Sequence, residues 1–143
     1  MLSNACKYAI RALIYLATRM NDGVKVSIRE LSAEIDSPEP FTAKIMQSLS
    51  KQEIVSSVKG PNGGFYIDEK QAAVRLIEIV KAIDGTQVLT GCGLGLKNCS
   101  ETHPCPIHSE FSAIRDGFSH LLNEKTIQEL AIELMAGHSK VKN

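Results

Sequence analysis

Apolar residues recur at steps of three and four along 5–20, and this spacing predicts an amphipathic first helix with one buried stripe. Ser27 with Glu30 forms a capping-box pattern that opens a short second helix over 27–35. A serine followed by a proline then marks the start of a third helix over 37–51. Two helices of this length joined by a tight turn predict a helix-turn-helix.

A β-rich run at 54–58, a glycine-rich turn at 59–64 and a second short run at 65–67 predict a β-hairpin. Apolar positions over 76–83 predict a further helix, which an Asp-Gly pair ends. Three helices followed by a hairpin is the order of a winged helix. The predicted fold is therefore mainly α with a small β-hairpin, and 1–85 is predicted to form a winged helix-turn-helix domain for DNA binding.

Three further segments are predicted beyond that domain. Residues 86–106 show no period, and a loop of this length is usually functional or disordered. Residues 107–137 are predicted to form dimerisation helices, of which the first is long and has coiled-coil spacing and the last begins with a Thr126 and Glu129 capping box. The polar residues 138–143 are predicted to form a flexible tail. The predicted interface residues of a symmetric homodimer are Ile107, Phe111, Ile114, Phe118 and Leu121.

Composition narrows the class of protein without identifying it. Sixteen basic and sixteen acidic side chains balance, so any contact with nucleic acid must come from a local patch. No apolar stretch approaches the roughly 20 residues of a membrane span, and Lys7 and Arg11 interrupt the pattern where a signal peptide would be apolar. The four cysteines are sparse and clustered, unlike a secreted disulfide framework. We therefore expect a cytoplasmic protein with no membrane partner.

Three of the four cysteines lie in the predicted loop, where the motif reads C-x6-C-x5-C-x2-H. The candidate metal ligands are Cys92, Cys99, Cys105 and His108. Three thiolates and an imidazole can complete the protein ligands of one zinc ion or of a two-iron cluster. The gaps are wider than the close cysteine pairs of zinc ribbons, and nearby glycines leave room for a group larger than one ion. These features favour an iron–sulfur cluster.

Other interpretations of these cysteines stay open. Zinc is the alternative metal, and a metal-free redox disulfide or simple packing of buried thiols is also compatible with the motif. His103 is the second choice of imidazole ligand. Cys6 lies beside the apolar stripe of the first helix and is interpreted as a packing residue.

The third helix and the hairpin turn are the candidate DNA reader. Phe41, Ile45 and Leu49 recur every fourth residue and are expected to face the core, which turns their neighbours outward. A recognition helix enters the major groove with its first turns nearest the bases, and a lysine there can reach phosphate or guanine. The candidate DNA-contacting residues are Ser37, Pro38, Glu39, Pro40, Thr42, Ala43 and Lys44 on the helix and Lys59, Gly60, Pro61, Asn62 and Gly63 in the wing.

Four stretches of the chain resemble the Rrf2 family of bacterial transcription regulators, which has IscR-like and NsrR-like iron–sulfur members: K-Y-A at 7–9, R-A-L at 11–13, S-V-K-G-P-N-G-G-F at 57–65 and the three-cysteine loop. The resemblance covers roughly 2–136. It implies a homodimeric winged-helix regulator in which a cluster controls affinity for a palindromic promoter site in double-stranded DNA. It also implies that the family's cysteine ligands fall on Cys92, Cys99 and Cys105, and that the histidine ligand of the IscR-like branch falls on His108.

Departures from the family pattern refine this expectation. The first cysteine gap is one residue longer than is usual. Lys7 stands where the NsrR-like branch has a carboxylate ligand, which favours a two-iron two-sulfur cluster with His108. Lys59 replaces an arginine in the wing and loses bidentate hydrogen bonding. Ala43 replaces a glutamate that tunes site choice, so the operator is expected to differ.

The function expected from the sequence is that of a DNA-binding transcription regulator, more specifically a repressor that senses iron–sulfur status, redox conditions or nitric oxide. The alternative is a zinc-stabilised winged-helix protein that acts through protein–protein contacts. No C-x-x-C pair and no catalytic motif occur, so we expect no enzyme activity.

Overall fold

The computed structural model describes residues 1–143, which form eight helices, one short 3-10 turn and a two-stranded hairpin. The elements in chain order are α1 Asn4–Thr18, the 3-10 turn Met20–Asp22, α2 Ile28–Glu34, α3 Glu39–Lys51, β1 Ser56–Val58, β2 Gly64–Tyr66, α4 Glu69–Ala72, α5 Leu76–Ile83, α6 Gln87–Thr90, α7 His108–Glu124 and α8 Ile127–Met135. The mainly helical class with a small antiparallel hairpin is confirmed. None of the helices is both long and apolar enough to cross a bilayer.

Side-chain caps explain where several helices begin. The Ser27 hydroxyl accepts from the Glu30 amide at the start of α2, and Thr126 with Glu129 forms a complete capping box at the start of α8. The predicted start of α3 was one residue early, because Pro38 rather than Ser37 is the N-cap, Glu39 is the first helical residue and no side chain caps this end. The proline pattern therefore marked the helix but not its first residue.

The wing is an antiparallel hairpin that is fastened to the segment before α2. Its turn closes through the Gly63 amide, which donates to the Gly60 carbonyl at 2.9 Å. Phe65 exchanges two backbone hydrogen bonds with Val26, at 2.8 and 2.9 Å. A side chain at Gly64 would place its Cβ 2.5 Å from the Val26 carbonyl oxygen, so this close approach requires glycine.

One apolar core of 23 buried residues is formed mainly by α1 to α5 and α8. These helices are called the winged-helix body. The last of the predicted dimerisation helices of 107–137, α8, also contributes to this core. Ile127 and Ala131 of α8 are buried in the core, where α8 packs against α1. The Ile127 amide also donates to the Val74 carbonyl at 3.1 Å. Although α7 is the longest helix, only its Leu122 is buried.

Two smaller features were absent from our predictions. The short helices α4 and α6 interrupt segments that we took as irregular, because four residues are too few to show a helical period. The predicted tail 138–143 lies against the body, where Arg11 Nε donates to the Val141 carbonyl at 2.7 Å and Asn143 Nδ2 donates to Asp36 Oδ2 at 2.9 Å.

Candidate metal centre and nucleic-acid interface

The cysteine loop brings the four predicted ligands together as two pairs. Cys92 Sγ lies 3.7 Å from Cys105 Sγ, and Cys99 Sγ lies 3.4 Å from His108 Nδ1. All four residues are half-buried. Two sulfurs bound to one tetrahedral ion at about 2.3 Å would be about 3.8 Å apart, so each pair has the spacing of two ligands on one metal. No group of three or more His, Cys, Asp or Glu side chains is arranged to hold a single ion.

Local structure at the two ends of the loop sets these positions. Cys92 follows the end of α6, and its carbonyl accepts from the Gly95 amide at 3.0 Å in a tight turn. At the other end the Cys105 carbonyl accepts from the His108 amide at 3.0 Å. The long helix begins at His108, so Pro106 precedes it.

Arg115 is a basic residue of the site that our sequence reasoning missed. Its Nη1 donates to Cys99 Sγ at 3.3 Å and to the carbonyl oxygens of Gly91 and Thr90 at 3.1 and 3.3 Å. The hydrogen bond to Cys99 raises the pKa of the Arg115 guanidinium. Arg115 lies two helical turns after His108 and therefore on the same face of α7, a spacing that could have identified it.

Backbone amides give Cys92 an environment that suits an anionic sulfur. The Leu94 amide donates to Cys92 Sγ at 3.4 Å. This hydrogen bond, followed by one from Leu96, lowers the pKa of the Cys92 thiol. Cys6 behaves oppositely, because burial in the core and then the charge of Asp84 raise its pKa to about 12. The sequence interpretation of Cys6 as a packing residue agrees with this burial.

A cavity of about 1180 Å³ adjoins the cysteines. Cys92, Cys99 and Arg115 line it together with the inward-facing rings of α7. Arg115 Nε is buried here without a hydrogen-bond partner, so the site holds an unsatisfied donor close to its sulfur atoms. Soft thiolate donors, a nearby cation and free space fit an iron–sulfur cluster. His103, the second-choice ligand, is exposed and contacts Thr102 instead.

The start of α3 presents most of the predicted DNA-contacting residues to solvent. Those with exposed or half-exposed side chains are Ser37, Pro38, Glu39, Pro40, Ala43 and Lys44. Thr42 is an exception, since it is 1% exposed and its hydroxyl bonds to the Pro38 carbonyl and the Ser37 hydroxyl. Phe41 is 36% exposed rather than part of the core, and its ring meets Tyr8 edge to face. Both predictions for these side chains were wrong because Ile45, Met46 and Leu49, all buried, set the rotation of the helix.

A groove of about 580 Å³ separates α3 from the wing. Ser50 Oγ lies 3.0 Å from Ser57 Oγ at its base, which fixes the hairpin to the helix. The predicted wing residues Lys59, Gly60, Pro61 and Gly63 line one wall, and Asn62 is exposed at the turn. Gln47 and Lys51 line the opposite wall.

Comparison with known proteins identifies the family of this chain. The Rrf2 family, described as iron-dependent transcriptional regulators, matches residues 2–133. The chain belongs to the Rrf2 family. This Rrf2 protein is 31% identical over 132 residues to an HTH-type transcriptional regulator of Aquifex aeolicus, covering 91% of this chain and 90% of that protein. It is 26% identical over 129 residues to the regulator IscR of Yersinia pseudotuberculosis, covering 90% and 77% of the two chains.

Solved structures share the fold of this Rrf2 chain. IscR of T. potens matches with a TM-score of 0.73 at 17% identity, covering 97% of this chain and 91% of that one. CymR of B. subtilis, titled a global cysteine regulator, matches with a TM-score of 0.71 at 18% identity, covering 92% and 96%. The family match and the Aquifex aeolicus relative show that the protein is a transcriptional regulator, as predicted.

Proposed function

We propose that this Rrf2 protein is a DNA-binding repressor whose promoter affinity is controlled by a two-iron two-sulfur cluster held by Cys92, Cys99, Cys105 and His108. The observation that carries this proposal is the division of the four donors into two pairs, at 3.7 and 3.4 Å. A two-iron cluster takes two protein ligands on each iron. A structural zinc ion needs all four around one centre, and the absence of any group of three such side chains favours the cluster over zinc.

When bound, the cluster would supply chemistry that oxygen, nitric oxide or iron shortage can reverse. The protein's own residues would connect its presence to α7. Cys105 and His108 lie at the start of that helix, and Arg115 ties Cys99 to its middle. Gain or loss of the cluster would therefore act on the position of α7 relative to the body. A shift between two DNA-binding states requires that the cluster be held more tightly in one of them.

The exposed side of α7 supports a homodimer as the working form. Ile107, Ile114 and Leu121 recur every seven residues and are 39%, 62% and 47% exposed. Phe111 and Phe118 form a second row that is half-buried against the loop and the body. An apolar row on a helix with few buried side chains is typical of a surface covered by a symmetric partner. Two copies would present two recognition helices to a palindromic site.

Exposed lysines on both walls of the groove supply the proposed contacts to DNA phosphate. Lys44 and Lys51 extend from α3 and Lys59 from the wing, all of them exposed. Because the whole chain is neutral, this local arrangement has to provide the attraction. We place the protein in the cytoplasm, where promoter DNA lies and thiol ligands stay reduced.

The cluster is tested by the visible absorption of protein purified without oxygen. We expect iron–sulfur absorbance in the wild type and its loss in Cys105→Ala, with an unchanged circular dichroism spectrum. Cys6→Ala is the matched control, since Cys6 is buried in the core away from the loop and should leave the colour intact. A coloured Cys105→Ala protein would contradict the ligand set. Colourless protein with stoichiometric zinc and no salt-dependent DNA binding would select the alternative, a zinc-stabilised protein that acts through protein–protein contacts.

DNA binding is tested separately in the wing. Lys59→Ala should weaken binding to every duplex by a similar factor and reduce the salt slope by about 1, because one phosphate contact is lost. Lys81→Ala is the control, as it removes the same charge from α5, which packs against α1 and α7 rather than the hairpin. Equal affinities of Lys59→Ala and wild type would remove the wing from the proposed interface.

A further inference from the structure

The Cys92 and Cys105 sulfurs are close enough to react with each other. They lie 3.7 Å apart at the two ends of the loop, and both residues are half-buried, so a small oxidant in solvent can reach them. A disulfide needs the sulfurs at about 2.05 Å, so they must approach by less than the diameter of one atom.

The other two cysteines are held in different surroundings. Cys99 Sγ contacts Arg115 Nη1 at 3.3 Å and His108 Nδ1 at 3.4 Å, so two polar groups occupy its neighbourhood. Cys6 is fully buried in the core of the winged-helix body. The geometry therefore distinguishes one pair of thiols among the four cysteines of the chain.

We propose that hydrogen peroxide converts Cys92 and Cys105 of the cluster-free protein into a disulfide that closes the site to iron. The Cys92 sulfur attacks the peroxide oxygen, the O–O bond breaks, and the products are a sulfenic acid on Cys92 and water. The Cys105 sulfur then attacks the Cys92 sulfur and forms the S–S bond. The displaced hydroxide leaves as water with the Cys105 thiol proton. Two electrons pass from the two sulfurs to one peroxide, which becomes two waters.

Such a disulfide would remove one complete donor pair. This regulatory consequence rests on the proposed function, whereas formation of the bond does not. The oxidised chain would keep only Cys99 and His108 as donors, and the start of α7 would be joined covalently to the end of α6. Oxidised protein would therefore be unable to rebuild its cluster until a thiol reductant cleaves the bond.

Peptide mapping of cluster-free protein tests the pairing. The full chain is stripped of metal with a chelator and reductant, desalted, and treated with an equimolar amount of hydrogen peroxide. Lys97 lies between Cys92 and the other two loop cysteines, so trypsin separates them. We expect a peptide that contains Cys92 linked to the peptide that contains Cys99 and Cys105. Absence of any linked peptide would overturn the proposal.

Two variants identify the partner of Cys92. Cys99→Ser should form the linked peptide to the same extent as wild type. Cys105→Ser should lose it and leave a Cys92 sulfenic acid that dimedone traps. Undiminished linkage in Cys105→Ser would show that Cys99 is the partner and would overturn the proposal. Matching circular dichroism spectra would exclude unfolding as the cause of either result.

Reconstitution with ferrous iron and sulfide separates this inference from the proposed function. Reduced protein should gain iron–sulfur absorbance, and oxidised protein should gain less than a tenth as much until dithiothreitol is added. A linked protein that takes up the cluster as well as the reduced form would overturn the blocking role. Reduced protein that takes up no cluster would instead contradict the proposed function, while the linked peptide would still be detected.

Discussion

Helices α1 and α7 are of similar length, 15 and 17 residues, yet they use their apolar residues differently. Seven side chains of α1 are buried, and they lie at the centre of the core. In α7 only Leu122 is buried, while Ile107 just before the helix and Ile114 and Leu121 within it are exposed. A helix in water is stabilised mainly by packing of its apolar face. The apolar face of α1 is therefore buried within a single chain, whereas much of the apolar face of α7 has no packing partner in the same chain.

The same contrast applies to the polar groups. Ser3, at the start of α1, has its backbone amide and hydroxyl bonded to Asp84, and its hydroxyl also caps the helix. In α7, by contrast, Arg115 has a buried Nε with no hydrogen-bond partner. Buried polar atoms without a hydrogen-bond partner are rare in a well-packed protein interior, and where they occur they are often part of a functional site. The buried donor without a partner thus lies in the same region as the loop cysteines.

The largest expected effect tests how closely the core around α1 is packed. Leu16→Ala in α1 should lower the free energy of unfolding by about 2–5 kcal/mol, because it opens a cavity at a fully packed site. Val24→Ala, at an exposed position outside the helices, should change it by less than about 0.5 kcal/mol. Urea denaturation followed by circular dichroism measures both. Similar losses of unfolding free energy in the two variants would contradict the assignment of Leu16 to the packed core.

The next effect concerns the link between α7 and the loop. Arg115→Ala should weaken retention of the cluster about 10- to 100-fold, as loss of a group that orients a metal ligand does. The rate of bleaching in the presence of an iron chelator measures this. Arg115→Lys keeps the charge and should recover part of the loss. Bleaching of Arg115→Ala at the wild-type rate would show that its contacts to Cys99 and Gly91 do not support the site.

A smaller effect tests whether a second copy of the chain covers the exposed apolar row of α7. Ile114→Ala should weaken dimerisation about 5- to 30-fold, which corresponds to about 1–2 kcal/mol for an apolar interface residue. Glu110→Ala is the control, since Glu110 is an exposed polar residue of the same helix. Sedimentation equilibrium measures both constants. A monomeric wild-type protein would contradict the proposed dimer directly.

The smallest effect contrasts Cys6 with the thiols of the loop. Burial raises the pKa of Cys6 from 9.0 to about 12, so the folded chain keeps this proton while the unfolded chain loses it. The stability that this provides is complete below pH 9 and falls as the pH rises toward 12. Between pH 9 and 10 the loss should be up to about 1 kcal/mol. In Cys6→Ala the free energy of unfolding should fall less steeply over this range. An unchanged slope in Cys6→Ala would contradict this pKa.

Local patterns along the chain determined most of the secondary structure. Apolar spacing located α1, α5 and α7, because each of them repeats an apolar position often enough to show a period, while capping boxes located α2 and α8 and a serine–proline pair located α3. Glycines identified the wing turn, since a tight turn limits which residues fit. The motif of cysteines and histidine likewise named all four candidate ligands, because ligand chemistry restricts residue type. The family resemblance, carried by the same short motifs, is confirmed.

Only the tertiary structure decided which faces of these helices are used. Met46 and its buried neighbours set the rotation of α3, which turned Thr42 inward and Phe41 outward. Packing against α1 buried one face of α8 in the body. Arg115 reached the cysteines because a loop folded back across two turns of helix. Local sequence spacing encodes periods along one element, whereas these outcomes depend on contacts between residues that are distant in the chain.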